Sequence, residues 1–244
     1  MKKRCTAVLL AAGSGSRMKS NVAKQYMLLR GKPLIWYALH AIEESSVIDD
    51  CVLVTGAEDI SYVQEEIVER YEFYKVGSVV AGGKERYDSV YHALEMIRSG
   101  DMRVRNKDGY VFIHDGARPF LTEEILRRDY EAVKNFRACV TGMPVKDTIK
   151  IAGPDGCAVR TPDRNFVWQI QTPQVFETAL ITEAYQRLMN EKAGWQAEGI
   201  RITDDAMVVE RFMDLPVRLV QGSYQNIKIT TPEDLLIAEA FLGR

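Results

Sequence analysis

Apolar residues in this chain come in short unbroken runs, separated by segments in which they recur every three or four positions. Thr6 to Leu10 is such a run, continuous rather than alternating, which marks a strand buried on both faces of a parallel sheet. Cys51 to Thr55, Val76 to Val80, Tyr110 to His114 and Ala138 to Met143 repeat it. Helical periodicity fills the gaps. Leu34, Ala38, Leu39 and Ile42 share one face of a helix opened by Pro33, a residue suited to a first helical turn. Val63, Ile67 and Val68 do the same in a segment from Ser61, and Arg86 to Ile97 is a third helix. Thr122 caps a fourth, running towards Phe136, because its hydroxyl can accept an orphan amide of the first turn. Strand and helix in alternation predict an α/β fold, a doubly wound and mostly parallel sheet with helices on both faces.

The alternation breaks after Pro144. Thr148-Ile149-Lys150-Ile151 alternates polar and apolar, Gly153-Pro154-Asp155-Gly156 supplies turn residues, and Ala158-Val159-Arg160 alternates again. This predicts a β-hairpin. Two isolated strands are marginally stable in water, so a hairpin with Ile149 and Ile151 on one face needs a partner. The expectation is a projecting arm at about 145–165, used in dimerisation, on a single domain spanning 1–244. Beyond it, Glu177 to Met189 reads as a helix, Thr203 as the cap of a short helix through Val209, and Val217 to Val220 as a strand. Ile227-Lys228-Ile229 alternates, so Lys228 points away from its apolar neighbours. Thr231-Pro232-Glu233-Asp234 is a helix start, with a cap, an early proline and acids at the positive end of the dipole.

Composition narrows the function classes. At 244 residues, with 46% hydrophobic, 27% charged and 9% aromatic, the chain is an ordinary globular protein of one large domain or two small ones. Lys+Arg 32 against Asp+Glu 34 gives a formal charge of -2, without the basic excess of a general nucleic-acid binder, though a local cationic pocket remains open. Cys5, Cys51, Cys139 and Cys157 are widely spaced with no C-x-x-C, which reads as reduced thiols rather than a zinc site. No stretch approaches the ~18 apolar residues of a membrane span. The early run Ala7 to Ala12 leads into glycines and charges rather than a signal cleavage site, so a cytoplasmic location and no membrane partner are expected.

Two segments carry candidate chemistry. The first strand runs into Gly13-Ser14-Gly15, where bare backbone can approach an anion. A dinucleotide fingerprint would need a third glycine at position 18, which is Met18, and neither Gly31-Lys32 nor Gly83-Lys84 completes a Walker loop. A tight turn alone remains an alternative, but Arg17, Lys19 and Lys24 stand in a segment without acids, which suits a polyphosphate. His114-Asp115-Gly116-Ala117-Arg118-Pro119 follows a buried strand at the carboxyl edge, where ligands bind in open α/β sheets. There Asp115 could hold a metal or substrate hydroxyls, or simply cap a helix, and Arg118 could pair with phosphate. His114, ending a buried run, reads as a packed core residue rather than a general base. Gly82-Gly83 before Arg86 is a further glycine turn at a helix start.

Taken together these residues resemble a known family. Ala11-Ala12-Gly13-Ser14-Gly15-Ser16-Arg17-Met18 with Lys24-Gln25-Tyr26 resembles the signature of sugar-phosphate nucleotidyltransferases. Gly82-Gly83 to Arg86, Ser89-Val90, Asp115 to Pro119, Asp147-Thr148 and Asp163-Arg164-Asn165 follow in order. Gln171-Thr172-Pro173-Gln174, Thr203-Asp204-Asp205 and Asn226-Ile227-Lys228 complete the set, which is similar to 2-C-methyl-D-erythritol 4-phosphate cytidylyltransferases of the non-mevalonate isoprenoid pathway, from Ala7 to Ala238. The resemblance implies a Rossmann-like nucleotidyltransferase that uses CTP, Mg²⁺ and a sugar-alcohol phosphate. It implies a CTP site of Ala11, Ala12, Gly13, Gly83 and Ser89, with Arg17 and Lys24 stabilising the transition state. Arg164 and Lys228 would position the methylerythritol phosphate. Asp115, also the implied metal ligand, would complete the acceptor pocket with Arg118, Thr148, Thr172 and Thr203. It further implies a homodimer whose exchanged arm carries Thr148 and Arg164 into the neighbour's site.

Three alternatives stand beside it. Ribitol-5-phosphate cytidylyltransferases share most motifs, but tend to carry Ala-Gly-Gly at the first loop and Ser-Val at the positions of Gly116-Ala117. An NAD-dependent oxidoreductase would want an acid closing the second strand, which ends at Thr55. A non-catalytic nucleotide sensor would keep the glycine loop and need no acceptor pocket.

Overall fold

The computed structural model describes residues 2–13, 23–99 and 107–243. The chain enters through β1 (Cys5–Leu10), then a two-residue ladder of β2 (Leu28–Leu29) and β3 (Lys32–Pro33), α1 (Leu34–Glu44) and β4 (Asp50–Thr55). A helical segment follows, starting as a 3-10 turn, passing through α2 (Ile60–Tyr62) and widening to π-type turns over Val63–Glu69. Next come β5 (Val76–Ala81), α3 (Arg86–Ser99), β6 (Tyr110–Asp115), α4 (Glu123–Phe136) and β7 (Ala138–Pro144). A small hairpin of β8 (Ile151–Ala152) and β9 (Ala158–Arg160) precedes the long β10 (Trp168–Glu177). The chain finishes with α5 (Thr178–Asn190), α6 (Lys192–Ala197), α7 (Asp205–Met213), β11 (Arg218–Gln221) and α8 (Pro232–Leu242).

Among the described residues seven strands form one sheet, in the order β11-β7-β10-β6-β1-β4-β5. β1 runs parallel to β4 and β6, β4 to β5, and β11 to β7, whereas β10 is antiparallel to both β6 and β7. The sheet is therefore mostly parallel, as the continuous apolar runs require. Because side chains alternate along a strand, each central strand feeds two cores. Ala7 and Leu9, Cys51 and Leu53, and Phe112 pack with Ile35, Leu39 and Ile42 of α1 and Ile125 of α4. Val8, Val52, Val54, Val111 and Ile113 pack on the other face with α3, α5 and α7. Burying each such Leu, Ile or Val contributes about 1.5–3 kcal/mol. Cys5, Cys51 and Cys139 lie in these cores as free thiols, and Cys157 is exposed. Among the described residues no helix is long and apolar enough to cross a membrane.

Most predicted elements are present within a residue or two, and Thr122 caps α4 by accepting from the Ile125 amide. Three expectations need correction. Pro33 is the N-cap of α1 rather than a first-turn residue, since its ψ of 142° is extended. The cap of α7 is Asp204, whose carboxylate accepts from Met207 N, not Thr203; an ionised acceptor also complements the helix dipole. The hairpin pairs only from Ile151, with Ile149 half-buried and Ile151 exposed, and among the described residues β8 and β9 pair only with each other. Ile229 is buried with Leu29, Leu34 and Ala238, and Lys228 lies on the cleft, apart from its apolar neighbours as the alternation predicts.

β10 is an element the sequence reading missed. Its middle is Gln169 to Gln174 with a proline inside, which reads as a loop. The structure satisfies these polar groups internally. Gln171 Nε2 donates to Ser223 O, and Gln174 Oε1 accepts from the amides of Asp205 and Ala206. A shift in register between Ile170 and Gln174 takes the proline out of the ladder.

Candidate active site

The parallel strands deliver their carboxyl ends to one edge of the sheet, and a cleft opens there. Its floor is the chain leaving β1, from Leu10 to Gly13; one wall is Gly83 to Arg86 with Ser89, and the other is Asp115, Ala117 and Lys228, with Lys24 and Gln25 closing it. Backbone bonds hold the floor: Ala11 N donates to Val54 O (2.7 Å) and Gly116 N to Leu10 O (2.8 Å). Gln25 Nε2 donates to Ala11 O at 2.6 Å, tying the turn that carries Lys24 to the same floor. Lys24 Nζ donates to Ile229 O at 3.3 Å, beside Lys228.

Asp115 is the electrostatic centre. Its carboxylate is 2.8 Å from Lys228 Nζ, 3.5 Å from Arg86 Nε and 3.8 Å from Arg118 Nε. Burial alone would raise this carboxyl, but Arg86, Lys228 and Arg118 outweigh it and hold Asp115 well below the usual carboxylate range. Arg86 is itself fixed by a fork to Asp205 at 2.8 and 2.7 Å, and Asp205 also accepts from Tyr185 OH at 2.5 Å. Arg118 donates from Nη1 to Asn226 O at 2.8 Å. One carboxylate thus organises three cations, of which Arg86 and Lys228 line the cleft, and their excess positive charge suits a phosphorylated ligand.

The structure brings together Ala11, Ala12, Gly13, Lys24, Gly83, Ser89, Asp115 and Lys228 on the cleft, with Arg118 packed behind Asp115. Ser89 turns its hydroxyl to the Gly83 amide at 3.0 Å, so it shapes the glycine turn. Thr172 is buried, its hydroxyl engaged with His114 and the Asp115 amide, and it does not line the cleft. Thr148, Arg164 and Thr203 are exposed and do not line the cleft; Arg164 reaches Lys146 O, and Thr203 Oγ1 faces Met207 Sδ. Arg17 and Lys19 lie outside the described residues. His114 is fully buried, and burial pushes its imidazole down to about 4, so it is neutral near pH 7 and packed, as its position after an apolar run suggested.

Arg86 and Asp205 escaped the sequence reading as site residues. Each lies inside a quoted motif, but nothing local couples two positions 119 residues apart. Gly83 is constrained by contact: a Cβ there would stand 2.3 Å from Asp88 Cβ. Asp88 is held by Lys192 Nζ at 2.8 Å and cannot simply retreat. Gly83→Ala is expected to cost about 1–3 kcal/mol of stability, read as a lowered midpoint in a thermal melt; an unchanged midpoint would mean that the turn makes room for a methyl group.

A model of the IspD family, 2-C-methyl-D-erythritol 4-phosphate cytidylyltransferase, matches residues 5–244. The chain belongs to that family. It is 50% identical over 237 residues to the 2-C-methyl-D-erythritol 4-phosphate cytidylyltransferase of Lachnospira eligens, covering 97% of this chain and 98% of that protein. Among solved structures it resembles the 4-diphosphocytidyl-2C-methyl-D-erythritol synthase of Anaerococcus prevotii, with a TM-score of 0.81 and 32% identity, over 99% of this chain and 97% of that one. The Francisella tularensis 2-C-methyl-D-erythritol 4-phosphate cytidylyltransferase superposes with a TM-score of 0.78 at 26% identity, covering 98% of this chain and 99% of that one. As a cytidylyltransferase, the chain is a transferase rather than an oxidoreductase or a nucleotide sensor.

Proposed function

We infer that the cleft transfers a cytidylyl group from CTP to 2-C-methyl-D-erythritol 4-phosphate, giving 4-diphosphocytidyl-2-C-methyl-D-erythritol and pyrophosphate. The observation that carries this reading is the gathering of Arg86, Arg118 and Lys228 around Asp115, with Lys24 on the same cleft, opposite bare backbone at Ala11 to Gly13 and Gly83. The backbone side suits the nucleotide, and the charged side the acceptor phosphate, with Asp115 accepting from its hydroxyls.

The chemistry needs no general base. A phosphate monoester has its second pKa near 6, so the acceptor is largely dianionic at pH 7. One of its oxygens attacks the α-phosphorus of CTP; that P–O bond forms as the α–β bridging bond breaks, and the electron pair leaves on pyrophosphate. The barrier is repulsion between two anions and the charge growing on the leaving group. Lys24, with Arg17 by family resemblance, meets that charge in a site built beforehand.

Magnesium fits this site only as a companion of the triphosphate. Among the described residues no cluster of three His, Cys, Asp or Glu exists. Mg²⁺ commonly takes one or two carboxylates plus substrate phosphates; here Asp115 would be its protein ligand, and the ion would supply further neutralisation of the phosphates.

The hairpin reads best as a dimerisation arm at about 145–165 on a single domain. Ile151, Val159 and Phe166 are 47%, 67% and 84% exposed, and so short a ladder is marginal alone. In a homodimer Arg164 would complete the partner's acceptor pocket. Arg164→Ala is then expected to raise the acceptor KM by about tenfold or more, as loss of a charged contact does, while CTP affinity stays near normal. Collapse of CTP binding instead would reassign the residue.

The whole reading is tested by pyrophosphate release, crossing CTP, ATP, UTP and GTP with methylerythritol phosphate and ribitol 5-phosphate. Turnover confined to CTP with methylerythritol phosphate is the expected result; preference for ribitol phosphate would overturn the acceptor assignment.

A further inference from the structure

We propose that Lys192, on α6, is a positioning residue for the nucleotide: through Asp88 it holds the Gly83–Arg86 wall against which CTP lies. The inference rests on the cytidylyl-transfer reading and deepens it, assigning part of the CTP affinity to a short helix that never reaches the cleft.

The wall is a turn of bare backbone between β5 and α3, and three of its amides are used inside the protein. Gly82 N donates to Thr55 O at 2.8 Å, Gly83 N to Ser89 Oγ at 3.0 Å, and Glu85 N to Asp88 Oδ2 at 3.1 Å. The last bond is one half of a capping box, in which a side chain at the third helical position reaches back to the amide before the helix. Asp88 also supports the turn by contact, since a Cβ on Gly83 would stand 2.3 Å from its own Cβ. Asp88 is 9% exposed, and neither it nor Lys192 lines the cleft.

Lys192 fixes the other carboxylate oxygen. Its ammonium donates to Asp88 Oδ1 at 2.8 Å and lies 4.8 Å from the centre of the Tyr87 ring. Trp195 in turn fixes α6: its buried indole packs edge-on to Tyr87 at 5.5 Å and donates from Nε1 to Leu188 O at 2.9 Å. One carboxylate is thus gripped from two sides, by an amide of the wall and by an ammonium from 104 residues further along the chain. Without that ammonium, a mostly buried charge loses its partner and is drawn towards water, away from Glu85 N. The turn then spreads over several shapes, and CTP must select the one that fits, which lowers its apparent affinity. Arg86, next along the chain, is fixed independently by Asp205, and Asp115 and Lys228 stand on the opposite wall. The effect therefore falls on the nucleotide and spares the acceptor.

The test uses full-length protein, with calorimetric titration of CTP and pyrophosphate release at saturating CTP with the acceptor varied. Lys192→Met keeps the stem over Tyr87 and removes the charge. It is expected to raise the CTP dissociation constant by about fivefold, the upper range for a partly exposed ion pair, with the acceptor KM within about twofold. Lys192→Arg is expected to return CTP affinity to within about twofold of the natural enzyme, because it restores a cation to Asp88. Asp88→Asn keeps an acceptor for Glu85 N but not the charge pair, and should show the same selective defect. The double variant should be no more than about twofold weaker than the worse single one, since partners in one interaction are not additive.

A CTP dissociation constant changed by less than about twofold in Lys192→Met would overturn the proposal. So would equal losses toward both substrates, or failure of arginine to rescue. Additive losses in the double variant would overturn it too, because Lys192 would then be acting on the triphosphate directly by its charge. If Asp88→Asn does not fold by circular dichroism, Lys192→Met and Lys192→Arg decide alone by the same criteria. A natural enzyme that neither bound CTP nor released pyrophosphate would overturn the functional reading together with this one, and is thereby distinguished from failure of the Lys192 assignment alone.

Discussion

Replacing Lys24 with alanine is expected to lower kcat by about 10²–10³ while leaving the CTP dissociation constant within about threefold. The residue sits on a short 3-10 turn, Lys24–Tyr26, pinned to the cleft floor through Gln25 and to the sheet through the short bond between Tyr26 OH and Thr55 Oγ1. Its ammonium is therefore delivered beside Lys228 by a fixed piece of backbone rather than by a loose loop. Charge held in place before the reaction stabilises whatever negative charge develops, and it needs no reorganisation at that moment. On the proposed reading CTP also contacts the backbone along Ala11 to Gly13 and at Gly83, residues that line the cleft, so its ground state depends less on this one amine. Steady-state kinetics combined with calorimetric CTP binding separates the two effects. Parallel losses in turnover and affinity would show that Lys24 holds the ground state instead.

The second large effect is on stability. Asp205 is completely buried at the start of α7, and its two oxygens receive the Arg86 fork and the Tyr185 hydroxyl. Asp205→Ala leaves a guanidinium and a phenol without that partner, and removing one side of a buried pair costs about 3–5 kcal/mol. For a protein of this size each kcal/mol lowers Tm by roughly 2–4 °C, so a drop of about 10 °C is expected in a thermal melt. A drop of under about 2 °C would mean that the network relaxes freely and contributes little. The same variant should raise the acceptor KM, because an untethered Arg86 is free to close fully on Asp115.

The sheet's parallel half was legible because burial on both faces forces unbroken apolar runs, and β1, β4, β5, β6 and β7 all carry one. β10 was not, because its centre replaces apolar packing with Gln171, Thr172 and Gln174, whose partners lie at Ser223, His114 and Asp205. Periodicity has no access to such distant satisfaction. The cleft shows the same division. Gly13 and Asp115 are legible because each follows a buried strand, Lys24 because it stands in a basic segment without acids, and Lys228 only through the family resemblance, whereas the Arg86–Asp205 fork is purely tertiary. Thr203 and Asp204 are both good capping types, and only the backbone geometry selects Asp204. Family membership required the ordered set of motifs, because no single one of them is specific.

The antiparallel strand sets a schedule for synthesis. β6 and β7 are complete by residue 144, yet they are not neighbours: β10, ending at Glu177, lies between them and bonds to both. A nascent chain still on the ribosome before that point holds two open edges, each presenting unpaired amides and carbonyls to other chains. The contacts that close them span tens of residues, so joining the halves is slower than forming either. Truncations ending between 145 and 167 should accordingly be sticky fragments that need a holding chaperone, while extension past 177 zips the two blocks into one.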